Sequence, residues 1–153
     1  MANTFKLTAQ EKADSGYTHA YQLTHADLTE TATNTAQVFT LDNVVAGDII
    51  VDCAHHLVTA LEDASDGANN DTAITVGETD VDRFLVSTQI NVNGTEITTS
   101  VTANSVDTFR FAFTAADTLD LTVNSMTAKA LNDIDTGELW IFWKKVSLAT
   151  LVG

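Results

Sequence analysis

The chain has 153 residues, enough for one domain with a real core and too few for two full ones. An apolar fraction of 44% belongs to a globular rather than a disordered protein, and no run reaches the ~18 consecutive apolar residues of a membrane-spanning helix. Seven Lys plus Arg against 21 Asp plus Glu leave a net charge of −14, which repels phosphate backbones and anionic lipid, so neither nucleic acid nor membrane is an expected partner.

The finer composition says β. There are 25 threonines and no proline, and β-branched residues suit a pleated, half-buried surface. Met1 to Lys12 lacks the apolar core of a secretory signal. The single cysteine, Cys53, excludes a disulfide framework within one chain.

In chain order, residues 1–16 read as an N-terminal extended arm and residues 17–153 as one β-sandwich domain. Tyr17 to His25 alternates with period two and predicts a strand. Gln37 to Leu41 predicts a second, and Ala46-Gly47-Asp48 a turn. Ile49 to Val58 is apolar on both sides, with Ile49, Val51, Cys53 and Leu57 on one and Ile50, Ala54 and Val58 on the other. That predicts a central covered strand, with a helix over Ala54–Leu61 as the competing reading of its second half. A polar loop, Glu62 to Asp71, precedes a strand over Thr72–Val76.

Two hairpins are expected next. Asn93-Gly94 is the pair a type I′ turn needs, and it sets Ile90 opposite Ile97. A turn around Thr114 to Thr118 would set Phe113, Phe111 and Phe109 opposite Leu119, Leu121 and Val123. The last strand, Glu138 to Leu148, turns Leu139, Ile141 and Trp143 one way and Trp140 and Phe142 the other. One face belongs to the core and the other must meet a loop, a helix or another subunit. About eight strands of this kind predict an all-β, antiparallel two-sheet sandwich, jelly-roll-like.

Chemistry is sparse. His55 and His56 are adjacent on a strand, so they point to opposite faces and cannot hold one metal ion from the same side. His19 and His25 lie too far off in sequence to be placed beside them. Asp63, Ser65, Asp66, Asn69, Asn70 and Asp71 offer oxygen ligands, but the glycine and terminal glutamate are misplaced for an EF-hand loop, and a solvated turn is the better reading. Glu78, Asp80 and Asp82 have Arg83 as a local counter-charge. Cys53, in an apolar strand, reads as a small buried hydrophobe. No carboxylate pair is marked out for glycoside hydrolysis, and there is no nucleophile elbow, phosphate loop or dinucleotide fingerprint. The expectation is no enzyme, no catalytic residue, no metal and no cofactor.

The segments YTHAYQLTHADLTETATNTAQVFTLDNVVAGDIIVD, ITVGETDVDRFL, FTAADTLDLTV and LNDIDTGELWIFWKK, in this order from about Tyr17 to Lys145, resemble small virion proteins of tailed bacteriophages. They look like the β-sandwich subunits such phages use for head decoration or cement, and sometimes in tail or fibre assemblies. The resemblance implies a non-enzymatic structural protein on the capsid surface, assembled in the host cytoplasm, with the major capsid protein as partner and a homo-oligomeric form, trimer or dimer. A tail- or fibre-associated module binding a host surface or glycan is the alternative. The residues expected at an oligomer or capsid interface are Phe5, Leu7, Trp140, Phe142 and Trp143.

Overall fold

The computed structural model describes residues 4–65, 72–91, 97–99, 110–124 and 128–151, with backbone pairing alone for 97–99. Ten strands lie among them: β1 (Thr4–Lys6), β2 (His19–Thr24), β3 (Gln37–Val44), β4 (Asp48–Glu62), β5 (Ala73–Gly77), β6 (Leu85–Gln89), β7 (Ile97–Thr99), β8 (Phe111–Ala112), β9 (Asp117–Asn124) and β10 (Thr136–Ser147). Two helices accompany them, α1 (Ala9–Ser15) and the terminal turn α2 (Leu148–Leu151).

The six-stranded sheet runs β1-β2-β10-β4-β7, with β8 also on β4, and the four-stranded sheet runs β3-β9-β5-β6. Within these orders the pairs are nested. β2 takes β10, β3 takes β9, β4 takes β7 and β5 takes β6, all antiparallel. Pairing the outermost strands of the chain first and closing inward, with successive pairs alternating between sheets, is the jelly-roll arrangement. The expected all-β sandwich is therefore present, with β1 and β8 as additions to the eight-strand frame.

The hairpin expected around Thr114 to Thr118 is not formed, and the other falls mostly on residues that are not described. Asn93-Gly94 lies outside the described residues; beyond it, Ile97 pairs with His56 on β4. The N–H of Ile90 donates to the Thr72 carbonyl at 3.0 Å, and its own carbonyl accepts from Leu61 at 2.8 Å. Phe111 pairs with Ile50 in one sheet while Leu121 pairs with Phe39 and Val76 in the other. The chain between β8 and β9 is thus a crossing between sheets. Phe109 lies outside the described residues.

Residues Ile49 to Glu62 are strand throughout, so no helix forms over Ala54–Leu61. The strand's phase slips near its start. Asp52 faces Lys144 and Ile50 faces Lys145, which leaves Val51 as the extra residue of a bulge. Ile50 and Cys53, expected on opposite faces, are for that reason both fully buried in the core. Leu23, Leu139, Ile141 and Trp143 meet Leu41, Ile74, Leu119 and Leu121 between the sheets, and each fully buried side chain of this size contributes roughly 1.5–3 kcal/mol.

Of residues 1–16, Thr4–Lys6 adds an edge strand to β2 and Ala9–Ser15 is helical. The helix is fixed by its ends. Thr8 and Glu11 form a reciprocal capping box, and Gly16 closes it in the left-handed conformation at φ 79°. None of its residues is buried.

Candidate interaction surface

The outer face of the six-stranded sheet is built by cross-strand register. One row reads Phe5–Ala20–Phe142–Ala54 across β1, β2, β10 and β4, and the next reads Gln22–Trp140–His56. Alternating large rings with alanines leaves a hollow between the rings, because an alanine covers only the backbone beneath it. The rings tilt across that hollow. Phe5 and Trp140 have centroids 5.8 Å apart, and Trp140 and Phe142 lie 6.1 Å apart and within 15° of parallel. Tyr17 continues the row at 5.8 Å from Phe142.

Phe5 is 46% exposed and Val58 48%. Val58 projects because it too is unpaired, at a second bulge between Leu57 opposite Leu139 and Thr59 opposite Glu138. Trp140 is oriented from below: its indole N–H donates to Glu138 Oε1 at 2.9 Å, and Gln22 Nε2 donates to the same oxygen at 3.0 Å. Helix α1 stands over this face without closing on it. Between them is a groove of about 470 Å³ lined by Leu7, Ala20, Val58, Trp140 and Phe142, with His56, Glu11, Asp14 and Ser15 at its walls.

Of the five residues expected at an interface, the fold brings together Phe5, Leu7, Trp140 and Phe142. Trp143 is elsewhere: it is fully buried between the sheets, stacked on His19 at 5.2 Å, and belongs to the core. The part of α1 in shaping the groove was not readable from the sequence. Its one available signal was Thr8-x-x-Glu11 with Gly16 behind it, a helix start and stop inside the expected arm.

The other candidates are dispersed. His55 is buried in the core-facing row opposite Ile141, and His56 is on the outer face opposite Trp140. Among the described residues no group of three His, Cys, Asp or Glu could hold a metal ion. Asp63 accepts from the backbone and hydroxyl of Ser65 at 2.8 and 2.6 Å and lies 3.8 Å from Lys129; Asp66, Asn69, Asn70 and Asp71 lie outside the described residues. Arg83 pairs with Glu78 and, at 3.3 Å, with Asp80, and its guanidinium sits 4.4 Å over the Phe111 ring. Burial pushes the Cys53 thiol far up, the reverse of a reactive cysteine. No described helix is long and apolar enough to cross a membrane.

No family model matches the chain, and no curated protein matches it. Among solved structures, one described as the acidic stable capsid structure of Helicobacter pylori bacteriophage KHP30 aligns over 96% of this chain and 99% of its own, at 13% identity and a TM-score of 0.45.

Proposed function

We propose that this chain is a non-enzymatic structural protein of a tailed-phage virion, a decoration or cement subunit that stabilises the head. It docks the outer face of its six-stranded sheet on the major capsid lattice from the capsid surface, as a homo-oligomer, after assembly in the host cytoplasm. The observation that carries the reading is the Phe5–Trp140–Phe142 stripe, an aromatic face left half-open on a domain that is soluble by charge. The resemblance of the segments from Tyr17 to Lys145 to such virion proteins supports it. A jelly roll alone would not, since the fold serves capsids, lectins and enzymes alike.

The test is to mix the protein with purified heads lacking it. Stoichiometric binding with a raised head melting temperature is expected, together with loss of both in the Trp140→Ala, Phe142→Ala double variant. Heads whose thermal and osmotic stability is the same with and without the protein would overturn the cement role.

A second reading has its own observation. The near-parallel Trp140 and Phe142 rings, with Glu138, Gln22 and His56 beside them, could stack a sugar ring and bond its hydroxyls. A tail- or fibre-borne glycan module would then give saturable hits on a glycan array, abolished by Trp140→Ala.

A further inference from the structure

The groove under α1 has an apolar floor and an acidic wall, and the two were made by different parts of the chain. The floor is Trp140, Phe142, Val58 and Ala20 from three neighbouring strands. The wall is the side of α1 that presents Glu11, Asp14 and Ser15, which the i, i+3, i+4 spacing of a helix places together. Lys12, on the same helix, is not among the lining residues.

Both wall carboxylates are held in place. Glu11 accepts from the backbone N–H and hydroxyl of Thr8 at 2.8 and 2.7 Å, and those bonds hold its carboxyl below the ordinary range, so it carries its charge. Asp14 accepts from Gln10 Nε2 at 2.8 and 2.9 Å. Neither is neutralised by a cation among the described ion pairs. The helix is fixed by its capped ends, with none of its residues buried, and that places the two carboxylates at the wall beside the aromatic floor.

We infer that this groove takes a peptide segment carrying both apolar and basic side chains, supplied by the protein on which the subunit docks. The apolar side chains fill the hollows over Ala20 and between the Trp140 and Phe142 rings, and a lysine or arginine reaches Glu11 and Asp14. A cation held beside those rings also gains from their faces. The net charge of −14 makes the same choice at long range, drawing in a basic segment and repelling an acidic one. The inference rests on the docking reading above and names the chemistry of the partner.

The experiment titrates the full chain with a short acetylated peptide alternating lysine and leucine, and in parallel with its glutamate–leucine counterpart, following backbone amide shifts. Saturable shifts centred on Leu7, Ala20, Val58 and Phe142 are expected with the first peptide and none with the second. The Glu11→Gln, Asp14→Asn double variant, which keeps the capping box because glutamine serves in it as glutamate does, should weaken binding about three- to tenfold and flatten its salt dependence. Absent shifts, equal binding of both peptides, or an affinity indifferent to the double variant would each overturn the inference. If heads are bound by the double variant as by the wild type while the peptide is ignored, the groove proposal fails and the docking reading stands. If the peptide binds and heads do not, the docking reading fails and the groove stands.

Discussion

The indole N–H of Trp143 donates to Asp42 Oδ2 at 3.3 Å, across the space between the two sheets. Trp143 belongs to β10 and Asp42 to β3, so this bond ties the longest buried strand pair to the facing sheet at its edge. The same carboxylate oxygen lies 2.6 Å from Lys145 Nζ, which is itself 4.0 Å from the buried Asp48. Within the six-stranded sheet itself, the Thr18 hydroxyl beside β2 accepts from the Lys145 N–H at 2.9 Å. Removing Asp42 would leave an indole donor and an ammonium short of their acceptor in a poorly hydrated place.

Asp42→Ala is accordingly expected to cost about 1–3 kcal/mol, since an unsatisfied buried donor is more expensive than a lost exposed pair. Asp48 keeps Lys145 partly compensated, which holds the loss below that of a bare buried charge. Urea unfolding followed by tryptophan fluorescence measures it. An unchanged midpoint would show that the two sheets do not depend on this tie.

His19 stacks on a face of Trp143, with rings 5.2 Å apart and within 10° of parallel. Burial holds its pKa below the ordinary 6.5, and the nearby Asp42 opposes that only in part. The unfolded chain therefore takes up the proton first as pH falls. Stability should be full above about pH 6.5 and decline below it until the folded-state pKa is reached. His19→Gln should flatten this part of the stability curve while leaving the carboxylate-driven loss at lower pH. A variant with the same slope between neutrality and mild acid would rule out His19 as its source.

Much of the sandwich was legible because side-chain alternation reports burial directly. Leu139, Ile141 and Trp143 face the core and Trp140 and Phe142 face outward, as period two requires. Partner choice was not legible. Alternation in Phe109 to Phe113 and Leu119 to Val123 fits a hairpin, and equally fits two strands on opposite sheets of a jelly roll that meet only through their side chains. The topology chose the second: Phe111 contacts Phe113 and Phe84 in the core while its backbone pairs with β4. Bulges were invisible for a related reason. An extra residue such as Val51 or Val58 is defined by its partner strand, and nothing local in an apolar run marks it.

Cys53 is fully buried at the centre of β4, facing Trp143, and burial with the neighbouring Asp52 drives its thiol well above the usual range. A thiolate is the reactive species, so reaction requires both exposure and ionisation. Labelling by a chromogenic disulfide reagent at neutral pH is expected only at the rate of unfolding, and to become immediate in denaturant. Prompt labelling of the native protein would mean that β4 opens locally.

Tyr17 extends the aromatic row beside Phe142 and lies against Asp52, and burial with that carboxylate pushes its hydroxyl up to about 12. In the folded state the phenol holds its proton longer than in the unfolded chain, so its contribution is complete below pH 10 and is lost as pH rises through the folded value. Absorbance titration should show a phenol ionising late, and Tyr17→Phe should remove one late-ionising phenol from the count. A late-ionising count unchanged by the substitution would show that Asp52 and burial do not hold the Tyr17 proton.

Gly47 and Gly137 separate two costs that are usually confounded. Both have positive φ, at 91° and 125°, where a side chain is strained whatever the space around it. At Gly47 an added Cβ meets nothing within 4 Å. At Gly137, where β10 irregularly joins β4, it would sit 2.5 Å from Leu61 Cγ, 2.6 Å from Leu61 Cα and 2.7 Å from the Ala60 carbonyl. Leu61 is fully buried and cannot yield without opening the core. Gly47→Ala should thus cost about 1 kcal/mol from backbone strain alone. Gly137→Ala should cost about 2–4 kcal/mol, the excess being overpacking against β4, and calorimetry should show it as a melting temperature lower by several degrees than that of the Gly47 variant. Equal losses in the two variants would mean that β4 and β10 can separate freely at this end, and that Gly137 is kept for its backbone conformation alone.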